Sequence, residues 1–114
     1  MNAIKNKVQL IGNLGANPEM KTLEGGKKMA RINMATSETY TNAKGEKVTE
    51  TNWHNVVAWG KTAEIAEKLL FKGTEVAIEG KLVTRNYTDK EGVKKYITEV
   101  VANELLVLSK KPVS

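Results

Sequence analysis

The chain has no cysteine, one histidine, one phenylalanine and two prolines, and its aromatic residues amount to 5% of 114. Without cysteine there is no disulfide framework, no thiolate nucleophile and no cysteine-ligated zinc, and a reducing compartment fits. A lone histidine, His54, cannot assemble a metal site with so few companions, so no metal and no other cofactor is expected. No apolar run approaches the length of a bilayer-spanning helix. Lys5 and Lys7 lie near the N-terminus, but no apolar signal-peptide core follows them. A cytoplasmic protein is the expectation. Arginine is also scarce, Arg31 and Arg85 being the only two.

The chain does have enough apolar residues to fold. At 40% hydrophobic and 27% charged it lies near the globular average, and its length suits one domain, expected over residues 1–109 with a short frayed end at 110–114. Net charge is +5, carried almost wholly by lysine, with an isoelectric point near 9.4. Such a field favours a polyanionic partner but does not identify one.

Period-two alternation dominates, and turn signals punctuate it. Lys7 to Gly12 reads as a first strand with Val8 and Leu10 on one face, ended by Asn13 to Pro18. A short strand near Met20 to Leu23 and a turn at Glu24 to Lys27 lead into Met29 to Ser37, where Ala30, Ile32 and Met34 face inward and Arg31 and Asn33 outward. Tyr40 to Thr51 is polar and reads as a long mobile hairpin or loop. Thr51 to Trp59 puts Trp53, Asn55, Val57 and Trp59 on one face and His54, Val56 and Ala58 on the other.

One helix is expected over Thr62 to Lys72, with Thr62 as N-cap and Gly73 closing it. Val76 to Tyr87 resumes the strand pattern, with Val76, Ile78 and Leu82 inward, Lys81, Val83, Arg85 and Tyr87 outward, and a bend or bulge at Gly80. The turn Asp89 to Gly92 joins it to a last strand from about Lys95. The fold class is therefore all-β with one short helix, and a five-stranded Greek-key barrel, the OB-fold, is the simplest closure of such a sheet.

The informative constellation is aromatic. Trp53, Trp59 and Tyr87 fall on outward or basic faces, and Tyr40 opens the polar stretch beside lysines. Flat rings alternating with cations can stack bases and neutralise phosphates. The blander reading buries both tryptophans in the barrel core, but the opposite faces of the same strands already supply aliphatic residues for one. Other motifs carry less. Gly60-Lys61-Thr62 imitates the end of a phosphate-binding loop, yet Asn55 stands where its first glycine belongs and no parallel βαβ pattern surrounds it. Gly12-Asn13-Leu14-Gly15 has the letters of a GxxG clamp but follows a strand. Pairs such as Glu64 with Glu67 or Glu99 with Glu104 form no motif of acid–base catalysis, so no catalytic residue is assigned and the chain is not expected to be an enzyme.

Asn6-Lys7-Val8 through Gly12 to Gly15 and Pro18-Glu19, then Ala35 to Glu38, Trp53-His54, Trp59-Gly60-Lys61, Ile78-Glu79-Gly80, Thr84-Arg85, Tyr87 to Asp89 and Tyr96 to Val101 occur in an order that resembles bacterial single-stranded-DNA-binding proteins of the tetrameric OB-fold type. The resemblance runs from about Asn6 to Leu108. It implies base stacking by Tyr40, Trp53, Trp59 and Tyr87, and phosphate contacts by Lys61, Lys72 and Arg85. It also implies a homotetramer, a dimer of dimers, in which the N-terminal strand with Lys7 pairs across a two-fold axis and His54 lies near the subunit contact. The implied role is sequence-nonspecific binding and protection of single-stranded DNA in replication, recombination and repair, in the cytoplasm at the nucleoid. Familiar members end in a Gly/Pro/Gln-rich linker and an acidic tip, whereas this sequence ends at Lys110 to Ser114; a tailless paralogue and a shortened chain both fit, which leaves recruitment of replication and repair proteins through such a tip open. Two other readings remain at this stage. One is an OB module that binds protein, with rings buried in an interface. The other is an RNA binder, since rings and lysines do not exclude a 2′-hydroxyl.

Overall fold

Alternating aliphatic and polar side chains become six strands around one apolar interior. In the computed structural model, which describes residues 3–108, the chain opens with a 3-10 turn (Ala3–Asn6) and continues as β1 (Val8–Leu14), β2 (Glu19–Thr22), β3 (Lys28–Thr41), β4 (Lys47–Trp59), helix α1 (Gly60–Leu69), β5 (Glu75–Thr88) and β6 (Lys94–Val107). The end expected at Lys110 to Ser114 lies outside the described residues.

The strands are ordered β1-β5-β6-β4-β3-β2, and β1 also pairs with β3. β1 lies antiparallel to β5 along Val8 to Asn13, then takes β3 as partner at Asn13 and Leu14, which closes the expected five-stranded barrel. β2 is a short sixth strand outside it, paired with Lys28 to Arg31 of β3. β4 and β6 meet in parallel, Val56 beside Val100 and Val57 beside Val101. This change of partner explains why β1 runs to Leu14 rather than stopping at Gly12.

Ile32, Met34, Val56, Ala58, Val76, Ile78, Val100 and Ala102 fill the barrel. α1 covers one end with Ala63 and Ala66, and Leu70 follows them inward. Small side chains on that helix face let its backbone approach the strands closely. The helix begins two residues before Thr62 and ends before Lys72, so Thr62 lies inside the first turn rather than at its cap. Trp59 is the N-cap residue and supplies no side-chain bond, while the Leu70 amide closes the far end on the Ala66 carbonyl. Gly73 does not close the helix. Its amide donates to the Leu14 carbonyl at 2.8 Å and so ties the helix exit to β1.

Two long hairpins project from the barrel, and here the structure corrects the expectation of a loop over Tyr40 to Thr51. β3 and β4 pair continuously out to Thr41 and Lys47, leaving only a five-residue tip. There the Asn42 amide donates to the Glu46 carbonyl, and Asn42 Oδ1 accepts from the amides of Lys44 (2.9 Å) and Glu46 (3.0 Å). Asp89 repeats this at the β5–β6 tip, its carboxylate accepting from Glu91 and Val93, both at 2.9 Å. Gly45 and Gly92 take the left-handed backbone each tip requires, with φ of 79° and 81°. The β3–β4 stretch is polar because both faces of its ribbon meet water, not because it lacks structure.

The bulge expected near Gly80 is present. Glu79 pairs with Glu104 and Gly80 with Ala102, so β6 carries one residue more than β5 at this point. Leu82, expected inward, is exposed. It keeps the inward phase of β5, but β1 ends its pairing at Val8 opposite Gly80, and among the described residues no strand pairs with that edge of β5 beyond it. In place of a strand, the Asn6 side-chain amide bridges the Leu82 backbone, accepting from its N–H and donating to its carbonyl, both at 2.9 Å.

Candidate nucleic-acid interface

The outward phase of β2, β3, β4, β6 and β5 forms one side of the barrel, and along it lies a groove of about 310 Å³ lined by Lys21, Met29, Arg31, Trp59, Arg85 and Glu99, among others. Strand register builds it. Met29 stands opposite Trp59, and Arg31 opposite Val57. Lys27, in the turn before β3, reaches back until its Nζ is 5.1 Å from the Trp59 ring centroid, a cation against a π face. Lys61 lies two residues beyond Trp59, exposed in the first turn of α1.

Arg85 is held in a fixed pose. Its Nε donates to Glu99 Oε1 at 2.8 Å and its Nη2 to Oε2 at 3.3 Å, a two-point clamp on a carboxylate that is only 6% exposed. The Glu99 hydrogen bond and charge raise the Arg85 pKa further above its already high value. The pair neutralises the one carboxylate that lines the groove and leaves the guanidinium half-exposed toward it. Tyr87 follows two residues on in the same phase, directly across from Lys95.

Trp53 occupies the same face of β4 as Trp59, six residues and hence about 20 Å away along the strand. It is 64% exposed. Its ring lies against Gly15, where a Cβ would come within 2.5 Å of Cζ3, so that position must be glycine if the ring is to rest on the loop after β1. The Gly15 amide is itself anchored to the Asn33 carbonyl at 3.0 Å. Lys72 lies across the same loop, its backbone amide donating to Asn17 Oδ1 at 2.7 Å. Trp53 and Lys72 therefore flank one short segment, while Trp59 and Arg85 share the groove.

Tyr40 stands apart from this set. It pairs with Val48, one step out of phase with Ala35 and Trp53, and so projects from the other face of the β3–β4 ribbon, where its hydroxyl donates to Glu50 Oε1 at 3.0 Å. His54 is on that second face too, part-buried opposite Met34, its Nε2 2.9 Å from Thr36 Oγ1. Lys7 meets Glu79 at 2.9 Å on the surface. Arg31 and Lys21, which line the groove, and Lys27, which reaches the Trp59 ring, are residues that the sequence reading did not nominate. The outward phase of Arg31 was visible, but its place beside Trp59 depends on the β3–β4 register. Among the described residues no group of three or more His, Cys, Asp or Glu converges as a metal site. No helix among them is long and apolar enough to cross a membrane.

The model of the single-strand binding protein family matches residues 5–108. The chain belongs to that family. Two curated family relatives are both called single-stranded DNA-binding protein 1. The one from Xylella fastidiosa is 45% identical over 107 residues, spanning 93% of this chain and 79% of its own length. The one from Chlorobaculum tepidum is 44% identical over 107 residues, spanning 93% of this chain and 66% of its own. Among solved structures, the chain resembles Plasmodium falciparum SSB in complex with ssDNA, with a TM-score of 0.83 and 33% identity over 91% of this chain and 95% of that one. It also resembles a deletion mutant of the single-stranded DNA binding protein from Thermus aquaticus, with a TM-score of 0.79 and 34% identity over 91% of this chain and 50% of that one. The OB barrel is thus a family property.

Proposed function

We propose that the protein binds single-stranded DNA with little sequence preference and shields it during replication, recombination and repair, as a non-enzymatic protein of the cytoplasm. The observation that carries this reading is the groove that Trp59, Arg31 and Arg85 line together, one ring with two guanidiniums. A stacking ring accepts any base, and a cation accepts any phosphate, so the arrangement favours single strands over duplex without reading sequence. Family membership supports it. In this proposal Trp53, Trp59 and Tyr87 stack bases, Tyr40 adds a position on the other face of its arm, and Lys61, Lys72 and Arg85 contact phosphates.

The proposed assembly is a homotetramer. Two features support it. β1 has no strand beside its second edge from Val8 to Gly12 among the described residues, an edge that could pair with the same edge of another copy, with Lys7 at its start. Ile11, Ala77 and Leu106 also form an apolar row across three neighbouring strands, with Ile11 61% and Leu106 63% exposed. His54 is proposed to lie near a subunit contact. Light scattering on the protein without DNA tests the tetramer.

Titration of intrinsic tryptophan fluorescence with oligo-dT, at low and high salt and beside the matching duplex, tests the binding. Strong quenching selective for the single strand and weakened by salt is expected. Equal binding to duplex, or no quenching, points instead to a protein-binding module.

A further inference from the structure

The β5–β6 arm carries a second ring that the groove does not use. Tyr96 is 67% exposed, the most exposed aromatic side chain among the described residues. It sits opposite Asn86 and out of phase with Arg85 and Tyr87, so it projects from the reverse of the ribbon. Lys94, two residues away on that face, holds its Nζ 5.8 Å from the ring centroid. The remaining side chains of this face are hydroxyls and an amide, Thr84 bonded to Thr98 at 2.9 Å, with Asn86 and Thr88 beside them. Between Leu82 and Thr88, and between Lys94 and Thr98, it presents no carboxylate.

Exposure of one ring alone selects no ligand, but the chemistry around this one does. A cation beside a π face on a surface free of carboxylates suits a base stacked on the ring with its phosphate at the ammonium. Tyr87 pairs with Lys95, and the next rung pairs Asn86 with Tyr96. The two rings therefore stand on adjacent rungs of one two-stranded ribbon, facing opposite ways. A strand lying on Tyr87 has only to turn over the ribbon's edge to reach Tyr96.

We propose that Tyr96 with Lys94 forms a further base-stacking position on the reverse face of the β5–β6 arm, so that single-stranded DNA leaving the groove continues around the arm. This rests on the single-strand-binding reading above. Each subunit then occludes more nucleotides than the groove alone accounts for.

The test uses the full chain and poly-dT. Tyr96→Ala should lower affinity about tenfold, the loss of one stacking platform, and reduce the nucleotides occluded per subunit in a stoichiometric fluorescence titration. Tyr96→Phe, which restores the ring, should recover most of both. Iodouracil-substituted oligo-dT should photocrosslink to the peptide containing Tyr96. The proposal is overturned if Y96A keeps affinity and site size and no crosslink forms at Tyr96, while W53A and Y87A lose affinity. It is also overturned if Y96A changes the oligomeric state by light scattering with no effect on binding, which would make Tyr96 a contact between copies. If W53A, Y87A and Y96A all bind as the parent does, the stacking roles proposed for Trp53 and Tyr87 fail together with it.

Discussion

The two projecting hairpins are built alike and charged differently. Each ends in a five-residue tip closed by an Asx side chain and a left-handed glycine, Asn42 with Gly45 in one and Asp89 with Gly92 in the other. On the β3–β4 arm the rungs are stitched by neutral hydroxyls, Ser37 to Thr51 and Thr39 to Thr49, both at 3.2 Å. Residues 36–52 carry Glu38, Glu46 and Glu50 against Lys44 and Lys47. Residues 81–99 of the other arm carry Lys81, Arg85, Lys90, Lys94 and Lys95 against Asp89, Glu91 and Glu99. Tip chemistry sets the shape of an arm, and what stands on its faces sets the ligand. The basic arm is the one suited to follow a phosphate backbone, with a cation near each of its rings. On the acidic arm, the Tyr40 hydroxyl is bonded to a carboxylate.

The strongest way to break this contrast is at Arg85. Arg85→Ala removes a cation and leaves Glu99, nearly buried, without its clamp at the groove. Affinity for oligo-dT should fall on the order of a hundredfold, and adding Glu99→Gln should recover part of the loss. A double variant no better than the single one would show that Glu99 plays no part.

Next in size is Trp53→Ala, expected to cost about 1–3 kcal/mol of DNA affinity in a folded protein. Tyr40→Ala should cost less, because that ring shares its surface with Glu38 and Glu50. An equal loss would show that the two faces of the β3–β4 arm bind alike in spite of those carboxylates. Smaller again is the salt response. Lys94→Gln should lower the slope of log affinity against log salt by about 1, and Lys44→Gln at the acidic tip should leave it unchanged.

The smallest effect separates the two tips by acid. The hydrogen bond from the Val93 amide holds the Asp89 pKa below its ordinary 3.8, with further help from Lys95 and the Glu91 amide. A carboxyl whose pKa is depressed on folding stabilises the fold above its unfolded pKa, and that contribution is lost as pH falls through the lower folded value. Amide exchange at Glu91 and Val93 should therefore quicken, relative to Lys44 and Glu46, only in strong acid. Asp89→Asn should abolish the difference.

Much of this was legible in the sequence. Alternation alone assigned Ile32, Met34, Val56 and Ile78 to the interior and Trp53, Trp59 and Arg85 to outer faces, because a pleat forces successive side chains apart. Two kinds of fact were hidden. Phase tells which way Leu82 points but not whether anything lies across from it, and β1 ends before reaching it. The neighbours of Trp59 depend on register, which placed Arg31 and Lys27 around a ring about thirty residues distant in the chain. Tyr40 combined both difficulties. Read as part of a loop it had no face at all, and only the continuous ladder to Thr41 showed that it turns away from Trp53.

The Arg85–Glu99 clamp also bears on how salt should act. An arginine that already holds a carboxylate has an anion built into its surroundings and does not need to recruit one from solution. In the proposed binding mode, a phosphate at Arg85 meets a cation whose charge Glu99 already balances, and so sheds fewer of its own condensed counterions than at an unpaired lysine. The number of small ions released on binding should therefore fall short of the number of cations that touch the strand, with the difference traceable to carboxylates such as Glu99 and Asp89 that already hold Arg85 and Lys95.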